Sequence, residues 1–554
     1  MIQNLFQRRT AHCTLAYPIG PVLLAAVSIA FFGTNVRADS NFFTPGDLVV
    51  SRSVYDDNPG NVQLGQLLPP NCTTPPGGCG NAIQDGTYPF VWNNDSVDGS
   101  FGITAKIFLD QITASGVLVN TLEVPNSSQN GVPPTKDQMV TSFSSKSEMA
   151  LNLSLDHQYL TFMGYLAPID AIDVSNSNTP GAVDPTNPVP ATVFRVVARV
   201  DQKGKFKFTA TNSYSGNNGR AAILNNSDGA NFLYTAGNAG NGTSPQPDAI
   251  IIGAGAQFIE PENRALVAQN PGDPTPLASF NITQLGNKPD KIGKDDNFRG
   301  LTIFNNVVYY TKGSGGTGLN TVYFVDSTGT ICTDTTGIAL PSPAASLPVS
   351  PLAYDPTVLQ TKGLDPNNMC ILNGFPTALK STTAFPFGIW FANENTLYVA
   401  DEGNGDNTFS STAQQYTVAA AQTTAGLQKW IFNSGTQTWN LAYTLQNGLA
   451  LGIPYVVPDY QTGTNSSTGL PWAPATDGLR NITGTLSSDG TTATIYAITS
   501  TVSGNGDQGA DPNKLVAITD KLAATSLPRT ETFKTLRSAG NLEVLRGVSF
   551  APGT

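Results

Sequence analysis

FRGLTIFNNVVYYTKG, residues 298–313, holds a whole structural unit in one line: an arginine, a short apolar strand, a turn, and a second strand ending in tyrosine. The same order returns elsewhere. It follows Arg220 as AAILNNSDGANFLYTAG, Arg480 as NITGTLSSDGTTATIYAIT, and Arg546 as GVSFAP. Three residues before each arginine stands an acidic or amide residue: Asn217, Asp296, Asp477 and Glu543. SEMALNLSLDHQYLTFMGY from Ser147 and PFGIWFANENTLYVAD from Pro386 keep the strand-turn-strand shape without the arginine.

A second hairpin follows most copies, as in FRVVARVDQKGKFKFTAT, LQKWIFNSGTQTWNLAYTL and KLVAITDKL with its continuation. Each unit therefore supplies a sheet of about four strands, which cannot bury both of its faces alone. Sheets set radially bury one another's faces, and an internal repeat of this kind points to an all-β propeller. The two ends are complementary. The strand after Arg546 stops at Thr554 without a hairpin, while DLVVSRSV, KIFLDQI and VLVNTLEVP near the start lack an arginine-type partner. Pairing the last strand with the first closes the ring and gives about six blades, with seven as the competing count. Two β-sandwiches in tandem would explain the strands but not the recurrence or the half-blades.

Composition agrees. Across 554 residues hydrophobic side chains make up 40% and charged ones 12%, with 54 Gly and 39 Pro, as expected for short strands joined by turns. The net charge of −11 and the lack of a basic stripe disfavour a nucleic-acid partner. Arg8-Arg9, the apolar run Val22–Phe32 and Val36-Arg37-Ala38 read as a signal peptide over residues 1–38, leaving 39–554 as the propeller domain. The run is too short to span a bilayer and no second one follows, so no integral membrane anchor is expected. The expected location is secreted, or the periplasm or cell surface of a bacterium.

Cys13 leaves with the signal peptide. Cys72 and Cys79 bracket a short turn, and Cys332 and Cys370 bracket a Pro-rich insertion at 332–370, so disulfides between those pairs are expected. Four cysteines allow three connectivities; proximity selects these pairs. Asn-x-Ser/Thr sequons at Asn94, Asn126, Asn152, Asn225, Asn241, Asn281, Asn465 and Asn481 would accept glycans in a eukaryotic secretory pathway.

The runs SGNNGRAAI, FRGLTIFNNVVYYTKGSGGTGLNTVYFVD, NTLYVADEGNGD with GLQKW, and SGNGDQGADPNKLVAITD resemble a group of secreted bacterial and fungal propeller-like proteins described as WD40-like or NHL-like. The resemblance covers nearly the whole mature chain. It implies a propeller and export, and carries over no activity or catalytic residue.

Two constellations carry candidate chemistry. Arg220, Arg299, Arg480 and Arg546 precede the expected innermost strands and would ring one mouth of the channel. Guanidinium forks there suit a carboxylate, sulfate or phosphate, so an anionic glycan is the expected ligand. The competing reading is that each arginine ties blade to blade. Asp401, Glu402 and Asp406 in DEGNGDN, with Asp295-Asp296 and Asp507/Asp511, are oxygen-rich loops that could hold Ca²⁺, though none has EF-hand spacing. His157, the sole mature histidine, stands in a hairpin turn, and no nucleophile elbow is present. Trp92, Trp390, Trp430 and Trp439 are expected between blades, and Trp472 near the surface. The expectation is a monomeric binding or scaffold module for an extracellular glycan or protein, not an enzyme. The alternative is a calcium-dependent, lactonase-like hydrolase or lyase on the same fold.

Overall fold

Antiparallel hairpins of the kind read in the sequence assemble into six blade sheets in the computed structural model, with two further two-stranded sheets among the described residues. The structure describes residues 41–554 except 59, 69–79, 83–101, 144–148, 182–190, 239–254, 263–264, 267–276, 281–296, 314–318, 328–329, 332–335, 343–344, 348, 350–368 and 379–382.

From the inside outward, the first blade is Glu543–Phe550, Leu48–Val54, Ile103–Ile112 and Leu118–Glu123. The last strand of the chain thus pairs with the first, from Leu48 opposite Phe550 to Val54 opposite Glu543, and closes the ring as expected. The second blade is Asn152–Leu153, Tyr159–Tyr165, Arg195–Asp201 and Phe206–Thr211. The third is Gly219–Asn225, Phe232–Gly237, Ala256–Ile259 and Leu277–Phe280. The fourth is Phe298–Phe304, Val307–Lys312, Thr321–Val325 and Met369–Leu372. The fifth is Pro386–Asn393, Thr396–Asp401, Gly426–Asn433 and Thr438–Leu445. The sixth is Ala475–Leu486, Thr492–Val502, Lys514–Lys521 and Lys534–Ser538.

Among the described residues the Pro-rich insertion adds to blade four instead of forming a seventh blade, as the strand Met369–Leu372 at its end shows. It is the fourth strand of blade four, and Ile338–Ala339 from inside the insertion adds a short parallel strand beyond it.

Strand alternation sends successive side chains to opposite faces, and in a propeller each face is a seam with a different neighbour. In blade four, Val308 and Tyr310 pack with Tyr234 and Phe258 of blade three, while Val307 and Tyr309 pack with Phe391 and Trp439 of blade five. Tyr323/Val325 and Val322/Phe324 split in the same way. The chain ends share this scheme, since Val548 and Leu545 pack with Tyr496 and Ile498 of blade six. Each large apolar side chain buried in a seam stabilises by about 1.5–3 kcal/mol.

The innermost strands touch one another around the whole ring. Close approach is needed there, and Gly547 shows why: a Cβ would overlap the Met149 carbonyl and lie 2.6 Å from Leu151 N. Because every strand reverses, the connections between second and third strands emerge where the innermost strands begin. Among the described residues these include 166–181, 402–425 and 503–513, so the long loops gather on one face. Tight turns such as Asn305-Asn306, both at positive φ, occupy the other.

Candidate functional site

The repeat arginines sit where the innermost strands break register. In blade three the pairing slips between Gly219 and Ala221, in blade four between Phe298 and Leu301, in blade six between Leu479 and Ile482, and in blade one opposite Ser51/Arg52. A bulge adds a residue and re-aims its side chain. Arg220, Arg299, Arg480 and Arg546 all fall in these slips, at one level of the ring and on the loop-bearing face. Phe387 takes the corresponding place in blade five, where register also slips between Pro386 and Ile389.

Their surroundings differ. Arg220 reaches into blade four, donating from Nη1 to Asn297 Oδ1 and, at 3.2 Å, to the Phe298 carbonyl. Arg546 Nε donates to Ser53 Oγ at 3.1 Å. Arg299 lies over the Phe387 ring, 5.9 Å from its centroid. These three are 3–4% exposed. Arg480 lies over the same ring at 5.9 Å, but its side chain is 18% exposed. It donates Nε to Glu402 Oε2 at 3.2 Å, and its two terminal nitrogens have no hydrogen-bond partner among the described residues.

Glu402 is held from its backbone. Its N–H donates to the Phe385 carbonyl at 3.0 Å, and Ser500 Oγ donates to its carbonyl at 2.6 Å. On either side of the ion pair lies a buried aspartate. Asp401 accepts from Phe385 N–H at 2.8 Å, Gly403 N–H at 3.0 Å and Gln428 Nε2 at 3.3 Å. Asp477 accepts from Gly405 N–H at 2.8 Å and Gln422 Nε2 at 2.5 Å. Gly403, at φ +82°, leaves the space that Asp477 fills; a side chain there would overlap its carboxylate. Burial, with Glu402 nearby, pushes each of these carboxyls up to about 7; Asp477 adds to the rise at Asp401, while N–H donors pull both down and Arg480 pulls Asp477 down further.

The acidic loop thus divides its expected ligands. Asp401 faces inward onto backbone donors, Glu402 pairs with Arg480, and Asp406 is exposed, accepting Thr408 N–H at 2.9 Å to cap a turn. Among the described residues no group of three or more His, Cys, Asp or Glu is arranged to hold a metal ion. Asp507 likewise accepts from Gly509 N–H at 2.8 Å, and Asp511 accepts from Tyr460 OH at 2.8 Å. Asp295 and Asp296 lie outside the described residues, as do residues 1–40, Cys72, Cys79, Cys332 and Trp92. Cys370 is fully buried in blade four.

His157 turns away from this face. It sits at φ 59° in its hairpin, and its Nδ1 lies 3.1 Å from the carbonyl of Thr554, where the chain end docks. Trp430 stacks on Phe375 at 4.0 Å and Trp390 on Tyr398 at 6.0 Å, as expected for residues between blades. Trp472 is half-buried beside Val457 and Tyr460.

Arg195 and Lys429 are among the buried cations that escaped the sequence reading. Arg195 is fully buried without a carboxylate; it donates to the carbonyls of Asn217, Val193, Ser175 and Ser177 and gathers the loop face around blade two. Burial lowers it to about 10. Lys429 and Asp520, both 0% exposed, pair at 2.9 Å across blades five and six, with Tyr443 OH donating to Asp520 at 2.7 Å. Nothing in RVVARVD or LQKWIF separates these from surface charges on alternating strands.

No protein-family model matches the chain, and no curated protein matches it. The propeller implied by the resemblance is present, with the six blades expected from the repeat, but no family match places the chain in the WD40-like or NHL-like group. Among solved structures it is similar to a PL25 polysaccharide lyase, an ulvan lyase, bound to -[GlcA(1-4)Rha3S]- (10% identity, TM-score 0.30). A second structure of a PL25 ulvan lyase matches at 11% identity and TM-score 0.30. Each match covers 85% of this chain and 95% of the other. No helix among the described residues is long and apolar enough to cross a membrane.

Proposed function

We propose that this protein is an exported binding module that takes an anionic ligand, an acidic glycan above all, at the channel mouth on the loop-bearing face. One observation carries the reading: an acidic chain places an arginine at the same bulged step of four innermost strands. Three of these arginines also serve the fold by bridging strands and blades. The fourth, Arg480, retains hydrogen-bonding capacity beyond its ion pair, which suits an incoming carboxylate or sulfate. The ligand sits above the packed ring, among the loops, as is usual for propeller mouths.

The second reading, a calcium-dependent hydrolase or lyase, draws on the two carboxyls held near neutrality beside Arg480, a setting that also suits proton transfer. Melting temperature against a panel of acidic and neutral saccharides, with calcium and with chelator, separates the two. Stabilisation by acidic saccharides that ignores chelator supports binding. A loss of stability with chelator alone, together with product release from a saccharide, supports the second. No response to saccharide or chelator removes both.

A further inference from the structure

Resting on the reading of an anion-binding mouth, we propose that Arg480 and Glu402 form a two-point receptor for a carboxylate with a hydroxyl beside it, the chemistry of a uronate residue in a saccharide. The ion pair is only half used. Arg480 spends Nε on Glu402 Oε2, and neither its terminal nitrogens nor Glu402 Oε1 has a hydrogen-bond partner among the described residues. Both side chains are partly open, at 18% and 11% exposure, whereas the other repeat arginines are closed off.

A guanidinium edge donates two parallel hydrogen bonds to a carboxylate, and a carboxylate oxygen accepts from a hydroxyl. Set side by side, the two groups ask for a ligand with an acceptor pair next to a donor. A sulfate satisfies only the first half and is repelled by Glu402; a neutral sugar satisfies only the second. The acidic neighbour therefore turns a general anion site into a selective one, because a ligand that fails to donate to Glu402 meets its charge.

Both groups are held in place before any ligand arrives. Phe387 lies under the guanidinium, and the Glu402 backbone is tied to Phe385 and Ser500. Arg480 and its neighbour Asp477 share a strand, and Asp477 anchors the Gly403–Gly405 turn through Gly405 N–H and Gln422. Little ordering cost remains to be met on binding.

The test is calorimetric titration of the full chain with trigalacturonate, its methyl ester, cellotriose and succinate, for wild type, R480K, E402Q and the opposite-face control R529A. The expected result is at least tenfold weaker binding of the ester, of cellotriose and of succinate. R480K and E402Q should each weaken trigalacturonate at least tenfold with melting temperatures near wild type, and R529A should leave it unchanged. Trigalacturonate affinity within threefold of wild type in both R480K and E402Q overturns the receptor while leaving an anion-binding mouth elsewhere. Equal binding of succinate removes the hydroxyl contact, and an equal loss in R529A reduces the effect to bulk charge. No binding of any acidic probe overturns the receptor and the reading beneath it together.

Discussion

Glu402 and Arg480 stand 78 residues apart in the chain and meet across the seam between blades five and six, Oε2 to Nε at 3.2 Å. Glu402 follows the second strand of one blade and Arg480 lies on the innermost strand of the next. Their meeting follows from ring closure, and ring closure follows from the repeat.

The two aspartates beside that pair set a pH dependence. An unfolded aspartate titrates near 3.9. In the fold, burial raises Asp401 and Asp477 to about 7. Between those limits the folded state binds more protons than the unfolded state, so their contribution is complete below about pH 4 and is lost as pH rises through 7. Where the two states differ by a full proton, stability changes by about 1.4 kcal/mol for each step of one in pH. Asp110 acts in the opposite sense: despite burial, Arg52 lowers it, so its stabilisation disappears in strong acid. The melting temperature should fall from pH 5.5 to pH 8, and D477N should flatten that fall. A melting temperature constant or rising across the interval would contradict this assignment.

Lys429 and Asp520 test the same seam further out. K429M removes the cation from a pair with no exposure and leaves Asp520 with the Tyr398 and Tyr443 hydroxyls and the Glu531 carboxyl, none of them a cation. The cost should be about 3–5 kcal/mol, because an uncompensated buried charge remains. Urea unfolding of the variant beside wild type measures it; a loss under about 1 kcal/mol, the scale of an exposed pair, would mean that the pair is not desolvated as described.

Gly547 tests the packing of the innermost ring. G547A must push its methyl group into the Met149 carbonyl, on the segment leading into the innermost strand of blade two. A loss of about 1–3 kcal/mol is expected, the range for overpacking. An unchanged unfolding midpoint would mean that the closing strand sits more loosely against blade two.

The sequons give a sharper correction to sequence reading. Asn126 and Asn225 accept from the serine two residues on, by both N–H and Oγ, and Asn465 accepts Ser467 N–H at 2.9 Å. The Asn-x-Ser pattern here is the signature of a local turn. Asn126, Asn225, Asn465 and Asn481 are buried, at 5% exposure or less, which leaves no room for a sugar. Peptide mass spectrometry of folded protein from a eukaryotic secretory host should find these four unmodified. Full glycan occupancy at any of them in folded protein would be incompatible with the fold.

Much of the architecture was legible because period-two alternation and the arginine-strand-turn-strand order are local. Val307 to Tyr310 already declare two faces, and the unpaired ends declare closure. The site was less legible. That Arg220 and Arg546 bury themselves while Arg480 stays open depends on which residue lies within reach: Asn297 at the start of blade four, Ser53 on the paired strand of blade one, or Glu402 after the second strand of blade five. Asp401 read as a candidate Ca²⁺ ligand because it opens the acidic run DEGNGDN; the N–H groups of Phe385 and Gly403 and the Gln428 amide turn it inward instead. Such partners come from paired strands, neighbouring loops or the adjacent blade, and leave no fixed spacing to read.

The most direct test of the anion-binding mouth is the melting temperature of the purified protein with saturating oligogalacturonate, in calcium and in chelator. A ligand at about a hundred times its dissociation constant stabilises the folded state by about 2.7 kcal/mol. An anion-binding mouth predicts an upward shift of a few degrees with the acidic saccharide, none with its neutral counterpart, and no change on adding chelator. No shift with any acidic saccharide, or one that vanishes with chelator, would contradict it.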